Sequence, residues 1–114
     1  MPVELNNPED AKIVTLAKAT RLRTGSEHGA AVRDLDGRTY TAAPVDLPSL
    51  RLSALQLAVA MAVSSGAAGL EAAAVSTDGP VDDAGMQAVR DLAGSGVDVI
   101  AADARGAATS VQQT

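Results

Sequence analysis

The chain has 114 residues, a formal net charge of −5, no cysteine, no phenylalanine, no tryptophan, one tyrosine (Tyr40) and one histidine (His28). That length holds one domain and one core. The usual soft ligands for zinc, copper or an iron–sulfur cluster are nearly absent, so no metal cofactor is expected, and only one imidazole is available to activate a nucleophile.

Asn7 can cap a helix, Pro8 suits its first position, and Glu9 and Asp10 favour the positive end of its dipole. Ile13, Leu16, Ala17 and Thr20 follow at helical spacing, Arg21 and Arg23 sit in the last turn, and Gly25 stops the helix. Gly29–Asp34 and Arg38–Thr41 flank Asp36-Gly37 and read as a β-hairpin. Residues 42–48 read as a loop, because Pro44 and Pro48 forbid a central strand. Ser49–Ser65 alternates Leu55, Leu57, Val59, Met61 and Val63 with small residues. Its length and its Ala, Leu, Met and Gln content predict a helix buried nearly all round, ended by Gly66 and Gly69.

Leu70–Thr77 is short, apolar and bounded by glycine, which predicts a strand. Asp78-Gly79-Pro80 is a turn. Asp82 or Asp83 caps a helix carrying Met86, Val89, Leu92 and Ala93, closed by Gly94 and Gly96. Val97–Ala102 is the last predicted strand. The domain is expected to span 1–104, with 105–114 as a flexible tail. Helices alternating with strands after the hairpin imply an α/β fold, a three-layer α/β/α sandwich on one mixed sheet.

Roughly a fifth of the residues are alanine, well above ordinary usage. Apolar burial is worth roughly 25 cal/mol per Å², and each alanine removes little area from water. The core is therefore expected to be thin, and a homo-oligomer is expected to compensate. Basic residues are scattered and not interleaved with aromatics, so no nucleic-acid partner is expected. No apolar run of about 18 residues and no charged-then-apolar leader is present, which predicts a cytoplasmic protein without a membrane partner.

This order, with these local sequences, resembles the cytidine deaminase family from about residue 8 to 103. His28–Val32 followed by Asp36–Thr41 resembles the family's first hairpin, and Pro44-Val45-Asp46 falls where the family has Asn-Val-Glu. Leu52-Ser53-Ala54-Leu55 falls at its Cys-Ala-Glu or His-Ala-Glu, and Gly85–Ala88 at its Cys-x-x-Cys. In such deaminases a His or Cys and two Cys hold zinc, and a Glu shuttles protons while the metal-bound hydroxide attacks the pyrimidine.

The resemblance implies that Ser53 replaces the first ligand, Leu55 the proton shuttle, and Gly85 and Ala88 the two thiolates. A one-residue shift would substitute Ala84 and Gln87 instead. Pro44 cannot donate the amide hydrogen bond of Asn, whereas Asp46 could still accept one from a sugar hydroxyl. The tail is also short relative to the family.

The expectation is a catalytically inactive relative that acts as an oligomeric scaffold or protein-interaction module, with an unidentified protein partner as one option. The alternatives are a nucleoside-binding module using Asp46, and a residual deaminase or other hydrolase. A triad of Ser53, Asp46 and His28, a metal site at Asp82-Asp83 and a phosphate loop at Gly94-Ser95-Gly96 are weaker readings. Serine near a helix start, acids at a helix cap and glycines after a helix end account for them.

Overall fold

The structure is a computed structural model, described here over residues 3–114. Helix α1 (Pro8–Thr24) starts where Asn7 accepts a hydrogen bond from the Glu9 amide at 2.9 Å, and it ends at Gly25, whose φ of 64° is left-handed. Strands β1 (Gly29–Asp34) and β2 (Thr39–Ala42) form the predicted hairpin. The Asp34 carboxylate holds its turn, accepting from the Asp36 and Arg38 amides at 2.9 Å and from the Tyr40 hydroxyl at 3.0 Å. Burial pushes the Asp34 carboxyl up, but these hydrogen bonds outweigh it and hold it below its ordinary value.

Residues 42–48 are not wholly loop. Strands β3 (Val45–Leu47) and β4 (Leu50–Leu52) form a small separate hairpin. Pro44 and Pro48 lie just outside its first strand, where a missing amide breaks no ladder. Helix α2 (Ala54–Ser64) consequently starts later than Ser49, at a capping box: the Gln56 amide donates to Ser53 Oγ at 3.1 Å, and the Ser53 amide donates to Gln56 Oε1 at 2.9 Å. Strand β5 (Leu70–Ser76), helix α3 (Asp83–Ala93) and strand β6 (Asp98–Ala102) follow as expected.

The flexible tail expected from residue 105 is corrected by the structure. Ala108–Gln113 form strand β7, antiparallel to β6. Asp103 makes the turn, its Oδ1 accepting from the Arg105 and Ala107 amides at 3.0 Å, and Gly106 takes a φ of 90°. The end is fastened too: the Thr114 amide donates to the Val97 carbonyl at 3.1 Å, and its hydroxyl to the Gly94 carbonyl at 2.6 Å. Small polar residues suggested looseness, but Thr109 and Val111 are β-branched and no charge opposes pairing.

The main sheet has five strands in the order β2-β1-β5-β6-β7, with only β5 and β6 parallel, joined through α3. Alternate residues face opposite layers. On one side α2 and α3 bring Leu55, Val59 and Val89 onto Val32, Val75 and Val99. On the other, α1 brings Ile13, Val14 and Ala17 onto Ala31, Ala72, Ala74, Ile100 and Ala102. The three-layer α/β/α sandwich read from the sequence is the fold observed.

The α1 layer is thin because small residues let backbones approach. A methyl group on Gly29 would stand 2.8 Å from the Arg21 amide nitrogen and 2.9 Å from Arg21 Cβ. Arg33 is buried on β1, bonded to Asp10 at 2.9 Å and Glu71 at 2.8 Å. Burial disfavours its charge, yet those two carboxylates outweigh the burial and raise its pKa. No helix among the described residues is long and apolar enough to cross a membrane.

Candidate functional site

The starts of α2 and α3 meet over one end of β5. A cavity of about 80 Å³ lies between them, lined by His28, Ser53, Ala54, Val75, Thr77, Pro80 and Asp82. Ser53 is fixed there by its capping box, and Asp82 by capping α3, its Oδ2 accepting from the Gly85 amide at 2.7 Å. His28 Nδ1 lies 3.0 Å from Thr77 Oγ1, which also accepts from the Gly79 amide at 3.2 Å.

The resemblance picked out Ser53, Leu55, Gly85 and Ala88, and the fold brings their helices together. Leu55 is 0% exposed. Gly85 is buried against it: a methyl group on Gly85 would stand 2.9 Å from both Leu55 Cβ and Cδ2, and 2.8 Å from Asp82 Oδ2. Ala88 is partly buried against the same core. The alternative pair, Ala84 and Gln87, lies on the exposed side of α3. The inward pair is therefore Gly85 and Ala88.

These residues do not fit a zinc ion. Leu55, Gly85 and Ala88 carry no donor atom, and the Ser53 hydroxyl is a neutral oxygen already engaged by its cap. A donor-bearing side chain at 85 would need the volume that Leu55 fills. Among the described residues no three His, Cys, Asp or Glu side chains converge.

The Ser53–Asp46–His28 set is not linked by hydrogen bonds. His28 pairs with Thr77, and Ser53 with Gln56. Asp46 sits on β3 with its side chain 85% exposed, ion-paired to Arg51 at 3.2 Å, and it lines neither this cavity nor the groove described next. Asp82 works as a helix cap, and Asp83 follows it in the first turn. Gly94 and Gly96 have φ of 78° and 86° after α3, so that segment ends a helix.

Sequence reading missed two features. One is the His28–Thr77 pair, between residues 49 positions apart with no local signal. The other is an open groove of about 450 Å³ between α2 and α3, lined by Leu52, Gln56, Val59, Ala60, Val63, Ala88, Asp91 and Leu92. Part of its signal was available: Gln56, Val59, Ala60 and Val63 recur at helical spacing on α2, whose residues are mostly apolar. Leu47 on β3, Leu50 on β4, and Met61 and Val63 on α2 are large hydrophobic residues left exposed.

A family model described as cytidine deaminase-like matches residues 6–106. Solved structures of cytidine deaminases are similar to the chain. The enzyme from Burkholderia pseudomallei is 25% identical, with 90% of this chain and 89% of that chain covered and a TM-score of 0.73. The one from Mycobacterium leprae is 20% identical, covering 96% and 94%, with a TM-score of 0.70. The one from Mycobacterium tuberculosis is 21% identical, covering 84% and 85%, with a TM-score of 0.69. No curated protein sequence matches the chain.

Proposed function

We propose that this chain, which belongs to the cytidine deaminase-like family, keeps the family's fold without its reaction and works by association, chiefly with further copies of itself. The packing of Leu55 into the space beside Gly85 carries this reading. Hydrolytic deamination needs a hydroxide generated near neutral pH and a group that moves protons to the leaving amine. A leucine, a glycine and an alanine supply neither metal ligand nor proton carrier, and a serine engaged in a helix cap is a poor substitute. An alanine-rich core, the exposed leucines Leu47 and Leu50 on the β3–β4 hairpin and the open α2–α3 groove support association.

The nucleoside-binding reading finds less support. Small-molecule pockets usually enclose about 300–1,000 Å³. The cavity at Ser53 and Asp82 is about 80 Å³, and Asp46 stands away from it.

The test is a deamination assay at high protein concentration with zinc supplied. Cytidine and deoxycytidine should come back unchanged, at the level of a mock preparation. Uridine formation that tracks the protein through successive columns would overturn the reading.

A further inference from the structure

Strand β7 (Ala108–Gln113) is the outer strand of the main sheet at one end. Among the described residues, β6 is the strand it pairs with. Its residues from Thr109 to Gln113 are exposed, so neither helical layer covers its faces. The direction of its amides follows from the ladder. The Thr114 amide donates to the Val97 carbonyl, just before β6, and the Val97 amide to Thr114 Oγ1, so Thr114 turns its amide inward, toward the β6 side. In an antiparallel ladder that direction alternates. Gln112 and Ser110 therefore point their backbone groups inward, opposite Val99 and Ala101, and Gln113 and Val111 point theirs outward.

Val3 donates to the Ala108 carbonyl at 2.8 Å and so closes the start of this edge. Beyond it, no described residue pairs with the outward groups of Val111 and Gln113. Exposed edge strands are normally blunted by lysine, proline or covering elements, because they template pairing with another chain. The run from Gly106 to Thr114 has no charged side chain and no proline.

We propose that β7 is a self-association edge, pairing antiparallel with β7 of a second copy about a two-fold axis at Val111. The edge is self-complementary in that register. The outward amide and carbonyl of Val111 exchange hydrogen bonds with those of the same residue in the other copy. Gln113 comes opposite Thr109, and Ser110 opposite Gln112, so every cross-strand pair is neutral. Val111 already lies opposite Ile100 in the β6–β7 ladder. The axis would continue that pair into an apolar row across both copies, on the side of the sheet where Ile100 meets α1. The nearest acid, Asp98, accepts a hydrogen bond from Gln113 Nε2 at 2.8 Å and faces no like charge. A two-fold contact of this kind is closed and yields one continuous sheet. The inference rests on the self-association in the proposed function, for which it supplies the surface, and stands apart from the loss of catalysis.

The experiment is sedimentation of the full chain over a range of concentrations, with amide hydrogen exchange followed residue by residue. Val111→Pro deletes the outward amide at the axis and no bond to β6. Val111→Lys, a second variant that keeps every amide, brings two positive charges together at the axis. The wild type should dimerise, with the Val111 and Gln113 amides protected at high concentration and exposed on dilution. Both variants should keep the wild-type circular dichroism and dissociate about tenfold more readily or worse. A wild type that stays monomeric overturns the proposal and, with it, the self-association in the proposed function. So does an oligomer that survives both substitutions while those two amides exchange freely, which would place self-association elsewhere and leave the proposed function standing.

Discussion

Leu55 and Gly85 share one volume: a methyl group added to Gly85 would stand 2.9 Å from Leu55 Cβ. Glycine in a helix ordinarily costs about 0.5–1 kcal/mol relative to alanine, and overpacking costs about 1–3 kcal/mol. Gly85→Ala should therefore lose stability, by about 1–2 kcal/mol net. With Leu55→Ala in the background, which removes Cδ2 but keeps Cβ and leaves Asp82 Oδ2 in place, the same change should cost measurably less. A double-mutant cycle by urea denaturation reads the coupling directly, and additive costs would show that the two side chains do not compete.

Leu55→Glu places a carboxylate where the side chain is 0% exposed. An unpaired charge there should cost several kcal/mol, on the order of the largest single-substitution effects. Burial raises a carboxyl's pKa, so the native state binds the extra proton and the loss should shrink as pH falls below the raised value. Denaturation midpoints near neutral and mildly acidic pH test this. A variant equally stable at both would mean that the position is wet.

Arg33 ties α1, β1 and β5 together through Asp10 and Glu71. Its own side chain is 7% exposed, whereas that of Glu71 is 43% exposed. Removing the buried partner leaves Asp10 facing an apolar layer, so Arg33→Ala should cost about 3–5 kcal/mol. Glu71→Gln, at the wet end of the network, should cost less than about 1 kcal/mol. One of Arg33's nitrogens, Nη1, is buried without a hydrogen-bond partner, which makes Arg33→Met the milder loss. Thermal melts should show the largest loss for Arg33→Ala, a smaller one for Arg33→Met and the smallest for Glu71→Gln.

Asp34 and Asp103 are both held below the ordinary value of 3.8, Asp34 by hydrogen bonds that outweigh its burial and Asp103 chiefly by the Ala107 amide. A depressed carboxyl contributes stability that is present above its unfolded value and is lost as pH falls through its folded one. Wild-type stability should therefore drop below about pH 4, and Asp34→Asn should be weaker at neutral pH with a shallower acid decline. Parallel declines in the two proteins would remove Asp34 from the account.

Much of the fold was legible because its signals are local. Asn7-Pro8, Asp36-Gly37 and Gly25 fix turns and ends through their own backbone preferences, and the structure places those boundaries as read. The last strand was not legible: β7 is held by its pairing with β6 and by Thr114 closing on Val97 and Gly94, contacts that small polar residues do not announce. The β3–β4 hairpin was hidden for the opposite reason, since its prolines suppressed a strand that they only flank. At the site, the chemistry of Ser53, Leu55, Gly85 and Ala88 was readable from residue type. That Leu55 fills the volume beside Gly85 needed coordinates, because the two residues come from different helices.

The most direct measurement of the central claim is metal content after exposure to excess zinc and exhaustive desalting, read by elemental mass spectrometry. The packing of Leu55 against Gly85 predicts retained zinc near background. Close to one tightly held zinc per chain would contradict it, and would mean that this chain builds a metal centre from residues other than those at the starts of α2 and α3.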